Sequence, residues 1–345
     1  MSLKEKIAEK AKPVETALAK YLKIREPQKL YKATAHIPMA GGKRLRPVMA
    51  LITCEMVGGN SNNAIPFAAA LEAIHNFTLV HDDVMDDDDL RHGVAACHTI
   101  YGLSTAILAG DTLFSYAFEM ITDCEVSNDI KSDLVQNVAY TVRKIAEGQQ
   151  MDINFEQEET VSPEDYMEMI RLKTSILFGA AAYGGARIGG SGEKQARELE
   201  EMATNVGLGF QIWDDYLDAT ASEQVLGKPS GSDIMQGKKT LLVIEALNRT
   251  SGNVRQKLLD ILDNKNNSDS DVQEAVQIME KCGALEACHS LANGYLEGVR
   301  DTLAKYPDGE ARQLFESLLE YMVCLLYTSD AADDTPCVDL GGRRI

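Results

Sequence analysis

The sequence predicts an all-α protein, a single helical domain around a deep central cavity. Three observations predict it. Apolar residues recur at helical spacing along nearly the whole chain, strand-like alternation is absent, and two aspartate-rich motifs lie inside otherwise apolar helical segments.

Helical periodicity marks segments near 3–23, 45–57, 63–89, 99–123, 128–154, 163–188, 194–219, 237–264, 270–282, 285–305 and 308–323. The first segment alternates charged and apolar residues, without the continuous apolar core of a secretory signal or anchor. Segment 45–57 follows Gly41-Gly42 and stops at Gly58-Gly59-Asn60. Segment 63–89 carries the first acidic motif. Segment 99–123 is apolar on most faces, which marks a central helix or one at a subunit interface. Segment 163–188 opens on Ser162-Pro163-Glu164-Asp165, with Ser as N-cap and Pro in the first turn. Segment 194–219 follows Gly189-Gly190-Ser191-Gly192, carries the second acidic motif, and is separated from 237–264 by Gly227 to Gly231. No linker divides the chain.

The 345 residues carry a net charge of −19, so nucleic acid is not an expected partner. No run reaches the ~18 apolar residues of a membrane span. The seven cysteines lack CxxC spacing, as expected of reduced thiols in a cytoplasmic protein. Cys282 and Cys288 have no nearby histidine in the sequence with which to make a zinc site. Residues 324–345, CLLYTSDAADDTPCVDLGGRRI, read as translated sequencing adapter rather than native sequence. Without the four Asp and two Arg of that tail the charge is −17.

The acidic motifs carry the chemistry. His81-Asp82-Asp83-Val84-Met85-Asp86 and Asp214-Asp215-Tyr216-Leu217-Asp218 both have the form D-D-x-x-D. On a helix the first and last aspartates share a face, with the middle one beside them. Clustered carboxylates repel and are costly to desolvate without a cation. Such hard oxygen clusters suit Mg²⁺, which binds through a few carboxylates plus phosphate oxygens. Two clusters suggest a diphosphate held between two helices by shared magnesium. One copy alone would most often be a solvated acidic face, as expected for Asp87, Asp88 and Asp89.

A diphosphate also needs cations. Gly41-Gly42-Lys43-Arg44-Leu45-Arg46-Pro47 sets three of them at a helix start, where free N–H groups favour phosphate. Arg91 follows the first motif by five residues. Lys173-Thr174 sits in a long apolar segment, where a bare lysine is expensive. Gly227-Lys228-Pro229-Ser230-Gly231-Ser232-Asp233 and Gly237-Lys238-Lys239-Thr240 follow the second motif without the order of a P-loop.

Taken together, GGKRLRP, HDDVMD, GQQMD (148–152), LKTS (172–175), GFQIWDDYLD and GKPSGSD-x3-GKKT resemble the trans-isoprenyl diphosphate synthases, over about residues 1–323. The similarity is greatest to geranylgeranyl diphosphate synthases of archaeal type. The resemblance implies the isoprenoid synthase bundle and a homodimer. It implies that Asp82, Asp86 and Asp214 ligate Mg²⁺, three ions with the diphosphate bound, and that Asp83, Asp215 and Asp218 support them. By the same resemblance Arg91, Lys173, Lys228 and Lys238 contact the allylic diphosphate. Lys43, Arg46, His75 and His92 hold isopentenyl diphosphate, and Thr174 and Gln211 lie near the reacting carbons. His81 and His98 are expected to be structural.

One departure matters. The family usually has Arg-Arg-Gly after the first motif, and here Arg91-His92-Gly93 stands in its place. Histidine is a weaker, pH-dependent donor. Product length is read from Phe77, five residues and about 7.5 Å along the helix before Asp82, with the small Thr78 beside it. An aromatic there, with no insertion in the motif, resembles C20 producers. Geranylgeranyl diphosphate is therefore the expected product, with farnesyl or longer products as alternatives. A class I terpene cyclase or a non-catalytic regulatory subunit would share the fold, but neither needs the full motif set.

Overall fold

The computed structural model describes residues 3–158, 160–220, 231–264 and 266–324. These residues form α1 (Leu3–Tyr21), α2 (Gln28–Met39), α3 (Leu45–Met56), a 3-10 turn (Ser61–Ala64) and α4 (Ile65–Met85). A hairpin, β1 (Leu90–Arg91) and β2 (Val94–Ala95), precedes α5 (Cys97–Tyr101), α6 (Leu103–Thr122) and α7 (Asn128–Gln157). Then come α8 (Pro163–Ile170), a π turn (Arg171–Ser175), α9 (Ile176–Ile188) and α10 (Glu193–Thr220). The rest is α11 (Ser232–Met235), α12 (Leu241–Arg249), α13 (Gly252–Leu262), α14 (Asp269–Lys281), α15 (Ala284–Leu303) and α16 (Glu310–Cys324). The protein is all-α, as expected. Among the described residues no helix is long and apolar enough to cross a membrane.

The described residues fall into two compact units. The first comprises Met1–Lys144, Ile176–Thr204 and Thr302–Glu316; the second comprises Ile145–Ser175, Asn205–Asp301 and the chain from Ser317.

In the first unit α4 buries Phe67, Leu71, Ile74 and Val80 and packs along α6. The pairing is antiparallel, since His81 meets Gly110 while Phe77 meets Phe114. Gly110 is required by that contact, because a Cβ there would stand 2.2 Å from His81 Nε2. α9 is buried over nearly its whole length and packs on α3 and α4. It can approach so closely because its inward positions are small: a Cβ on Gly185 would lie 2.2 Å from the Ala50 carbonyl. Each fully buried Phe, Leu or Ile of this layer contributes about 1.5–3 kcal/mol of transfer free energy.

In the second unit α12 packs on α8 and α14, and α13 packs on α14. Trp213 of α10 is buried edge-on against Tyr216 and against His289 of α15, at 5.3 and 5.0 Å between ring centroids. Ser268 closes a capping box with Asp271 at the start of α14.

Several boundaries differ from expectation. α2 lies where no helix was expected. α4 ends at Met85, and the chain after it turns into the hairpin, so strand pairing is present in one short place. Gly102, at φ 84°, separates α5 from α6. The Thr250-Ser251-Gly252 turn splits the expected 237–264 helix. Ser162 caps α8 as expected, accepting a hydrogen bond from the Asp165 amide at 3.0 Å.

Candidate active site

In the first unit the acidic motif forms the last turn of α4, where helix carbonyls already concentrate negative charge. Three carboxylates at that end require compensation, and they obtain it unequally. Asp83 is fully buried and accepts from Arg91 Nε at 2.6 Å. Burial pushes its carboxyl up, and the Arg91 hydrogen bond and charge pull it back. Arg91 also reaches Asp88 at 3.3 Å, so Asp88 is not simply solvated. Asp82 is half-buried and Asp86 exposed. Hard oxygens held outward one turn apart are the donor set of Mg²⁺, which takes one or two carboxylates and completes its octahedron with water and phosphate. Among the described residues no three carboxylate, imidazole or thiol groups already converge on one point.

The cationic end of this unit is built at the start of α3. Gly41 and Gly42 have φ of 113° and 143°, a path open to glycine, and bring the chain to Arg44 in the left-handed region. No side chain caps α3, so its first amides are available to an anion. Arg44 is structural: buried, it donates to Glu72 Oε1 and the Pro38 carbonyl, both at 2.5 Å. Asn76 donates to the same Glu72 oxygen at 2.9 Å. Lys43 is exposed. Arg46 lies 4.4 Å over the Phe178 ring and donates to His75 Nε2 at 3.2 Å. Burial lowers the Arg46 guanidinium to about 10, still charged at neutral pH. Its Nε is buried with no hydrogen-bond partner among the described residues. The Thr78 hydroxyl donates to the His75 carbonyl at 2.8 Å. His81 bonds the Ile107 carbonyl at 3.0 Å, in keeping with a structural role.

In the second unit the acidic motif occupies the last turns of α10. Asp214 is exposed, whereas Asp215 and Asp218 are buried. Asp215 accepts from Tyr166 at 2.5 Å and from Gln211 at 3.1 Å. Burial raises its carboxyl well above the usual range; Tyr166 opposes this, Asp233 and Asp214 add to it, and Gln211 opposes it. Asp218 accepts from Ser232 at 2.6 Å and from the Asp233 amide at 2.9 Å, which fastens α11 to α10. Lys173 lies in the π turn and pairs with Asp152 at 2.5 Å. Thr174 follows it, half-buried. Gly148 permits the turn to approach α7, since a Cβ there would stand 2.5 Å from the Lys173 amide nitrogen. Lys238 is exposed, 3.7 Å from Asp233, and Lys239 donates to the Phe155 carbonyl at 2.8 Å. Lys228 lies outside the described residues.

Sequence reasoning missed Tyr166, Asp152 and Gln149. The last two lie in the GQQMD motif, which was their signal. Gln149 is buried with neither amide atom hydrogen-bonded among the described residues. Nothing local marked Tyr166.

Two D-D-x-x-D helix ends, each accompanied by cations, define a protein suited to hold an anion such as diphosphate with divalent metal. A model of the polyprenyl synthetase family matches residues 27–279. The geranylgeranyl diphosphate synthase of Methanosarcina mazei is 39% identical over 327 residues, 95% of this chain and 99% of that protein. The geranylfarnesyl diphosphate synthase of Aeropyrum pernix is 40% identical over 304 residues, 86% of this chain and 94% of that protein. The crystal structure of a geranylgeranyl pyrophosphate synthetase from Pyrococcus horikoshii superposes with a TM-score of 0.89 at 40% identity, covering 93% of this chain and 98% of that one. The chain belongs to the polyprenyl synthetase family and is a trans-isoprenyl diphosphate synthase.

Proposed function

We propose that this chain condenses isopentenyl diphosphate head-to-tail with allylic diphosphates, releasing diphosphate, and that its main product is geranylgeranyl diphosphate. The observation that carries the reading is the division within each acidic motif. The middle carboxylates Asp83 and Asp215 are buried on protein donors, while Asp86 and Asp214 are exposed and Asp82 is half-buried. Asp82, Asp86 and Asp214 are the proposed magnesium ligands. Bound there with the diphosphate, magnesium supplies Lewis-acid neutralisation of the leaving group.

The cations have a matching role. Arg91, Lys173 and Lys238, each now paired with a carboxylate, turn to the allylic diphosphate, with Lys228. Lys43, Arg46, His75 and His92 hold isopentenyl diphosphate, and the unpartnered Arg46 Nε supports an anion there. The allylic C1–O bond then breaks toward a cation. The double bond of isopentenyl diphosphate attacks C1, and a proton leaves C2 for the departing diphosphate. Thr174 and Gln211 steady the reacting carbons, and the residues as a whole contribute position, fixed charge and exclusion of water. Residues 1–323 act as one catalytic domain in a cytoplasmic homodimer, and the adapter-like tail takes no part.

Product length rests on Phe77. Its ring meets Phe114 of α6 at 5.3 Å, and this aromatic pair supports a floor between α4 and α6. A C25 product is the second reading, favoured by the geranylfarnesyl relative. The test supplies isopentenyl diphosphate, Mg²⁺ and C5, C10 or C15 primers to the chain trimmed after Val323, then sizes the dephosphorylated alcohols. A dominant C20 alcohol supports the proposal, and C15 or C25 overturns the length assignment alone. No elongation by folded protein overturns the activity.

A further inference from the structure

Gln149 of α7 is 6% exposed, and neither its Nε2 nor its Oε1 meets a hydrogen-bond partner among the described residues. Solvent reaches neither atom. A primary amide carries two N–H donors and a carbonyl acceptor. Left unmade in a buried place, these bonds cost stability, and a leucine of similar volume would avoid that cost. A glutamine retained there calls for a partner that arrives from outside the chain.

Its place in the second unit is set by the residues on either side of it. Gly148, the preceding residue, seats α7 against the π turn: a Cβ there would stand 2.5 Å from the Lys173 amide nitrogen and 2.8 Å from the Leu172 Cβ. Asp152, three residues further on, pairs with Lys173 Nζ at 2.5 Å. Gln149 is therefore rooted between two residues that both touch the Lys173 turn, in a stretch of helix about 6 Å long. Other polar side chains of the unit are already committed. Tyr166 and Gln211 donate to Asp215, and Ser175 donates to the Ile170 carbonyl at 3.2 Å.

We infer that Gln149 is a further substrate-contacting residue of the second unit, its Nε2 donating to an oxygen of the allylic diphosphate. The inference rests on the proposed assignment of Lys173 to that substrate. An allylic diphosphate brings a hydrocarbon chain, which accepts no hydrogen bond, and a diphosphate, which accepts many. The diphosphate is thus the part of the substrate that can satisfy the donor nitrogen, leaving only the acceptor unmet. A hydrogen bond to an anion is worth more than one between neutral groups. A neutral amide adds this grip without adding a cation that would compete with magnesium for the same oxygens.

The test compares the full Mg²⁺-loaded chain with Gln149→Leu and Gln149→Met, which keep the volume and remove the hydrogen bonds. The probe is an allylic thiolodiphosphate, in which sulfur replaces the bridging oxygen so that the bond to C1 does not break. Calorimetry should show its Kd raised about tenfold or more in both variants, as for one lost hydrogen bond to an anion. Isopentenyl diphosphate should bind all three proteins alike, and its KM should stay flat while KM for the primer rises. Without ligand, the melting midpoint of each variant should equal or exceed that of the unaltered chain, because a desolvated amide is gone. Should Gln149→Leu not fold, Gln149→Met carries the comparison, since its flexible chain fills irregular space. An unchanged thiolodiphosphate Kd overturns the inference: with an equal or higher midpoint the amide is unused, and with a lower one its partner lies inside the protein. A loss of affinity shared equally by isopentenyl diphosphate marks a general distortion and overturns it as well. Failure of the unaltered, folded chain to bind the thiolodiphosphate overturns the assignment of the allylic site, and the inference with it.

Discussion

Tyr166 of α8 donates to Asp215 of α10 at 2.5 Å, with both side chains buried. With Gln211 on the other oxygen, the middle aspartate of the second motif is held by two neutral donors. Its counterpart Asp83 is held by a guanidinium. The two motifs therefore look alike in sequence but are fastened by different chemistry. Removing the hydroxyl in Tyr166→Phe leaves a buried carboxyl short of one donor, at a cost of about 1.5–3 kcal/mol. The thermal midpoint should fall by several degrees, and Gln211→Leu on top of it should be more than additive because both act on one group. An unchanged midpoint in Tyr166→Phe would show that this bond does not hold the motif.

The first motif offers a sharper separation of roles. Asp83→Asn leaves Arg91, a quarter exposed and still paired with Asp88, facing a neutral group at a fully buried position, and should lower stability by about 1–3 kcal/mol. Asp82→Asn changes a half-buried carboxylate and should lower the melting midpoint less than Asp83→Asn does. Its kcat should fall by two orders of magnitude or more, if Asp82 neutralises the leaving group with magnesium. Melting curves and turnover measured on the same two preparations decide the matter. Equal destabilisation of both variants would remove the distinction between the fully buried and the less buried aspartate.

Arg44, just before α3, and Glu72 of α4 form a buried ion pair. Arg44→Ala alone strands Glu72 and should cost about 3–5 kcal/mol. Arg44→Met with Glu72→Leu should recover much of that loss, because an apolar pair has no charge to strand. Urea unfolding of Arg44→Met, Glu72→Leu and the double variant gives the coupling energy.

That pair also shows what the sequence hides. GGKRLRP displays three cations of equal standing, and nothing local separates Arg44, bound to a glutamate 28 residues away, from Lys43 and Arg46. The acidic helix ends, the Ser162 cap and the Gly breaks were legible because each is a local pattern with a local cause. α2 was not, because Pro27 precedes it and Pro38 sits in its last turn, so its Gln28–Met39 stretch reads as loop. Its buried face, Ala33, Ala35 and Ile37, is defined only by packing. The π turn at Arg171–Ser175 is likewise invisible, since a single wide turn leaves the helical period almost intact. Tyr166 gained its role from a partner 49 residues away.

α6 bears on the oligomeric state. Leu103, Ile107 and Leu108 of α6 and Ile100 of α5 expose 57, 41, 54 and 51% of their surface. Exposed apolar side chains close together in the chain favour association. Ile107→Glu with Leu108→Glu places charge among them and should shift the mass found by light scattering from dimer toward monomer. A native protein that is already monomeric at micromolar concentration would refute the homodimer.

Phe77 tests product length, and the antiparallel register of α4 and α6 makes the test graded. His81 meets Gly110 and Phe77 meets Phe114, so each step down α4 from the aspartates is a step toward the C-terminus of α6. Phe118 continues the row at 5.0 Å from Phe114, one helical turn or about 5.4 Å deeper. Phe77→Ser should shift the distribution from C20 toward C25 and longer, because the first ring across the path is gone. Phe114→Ser alone should change little, since Phe77 still stands above it. Phe77→Ser with Phe114→Ser should lengthen products beyond either single change, with Phe118 as the next stop. Enlarging Thr78 to Phe should act in the opposite sense and shorten products toward C15. Sizing the alcohols from all four proteins with a C15 primer distinguishes this ordered floor from a single barrier. If Phe114→Ser lengthens products as much as Phe77→Ser does, the rings form one layer and the stepwise reading fails.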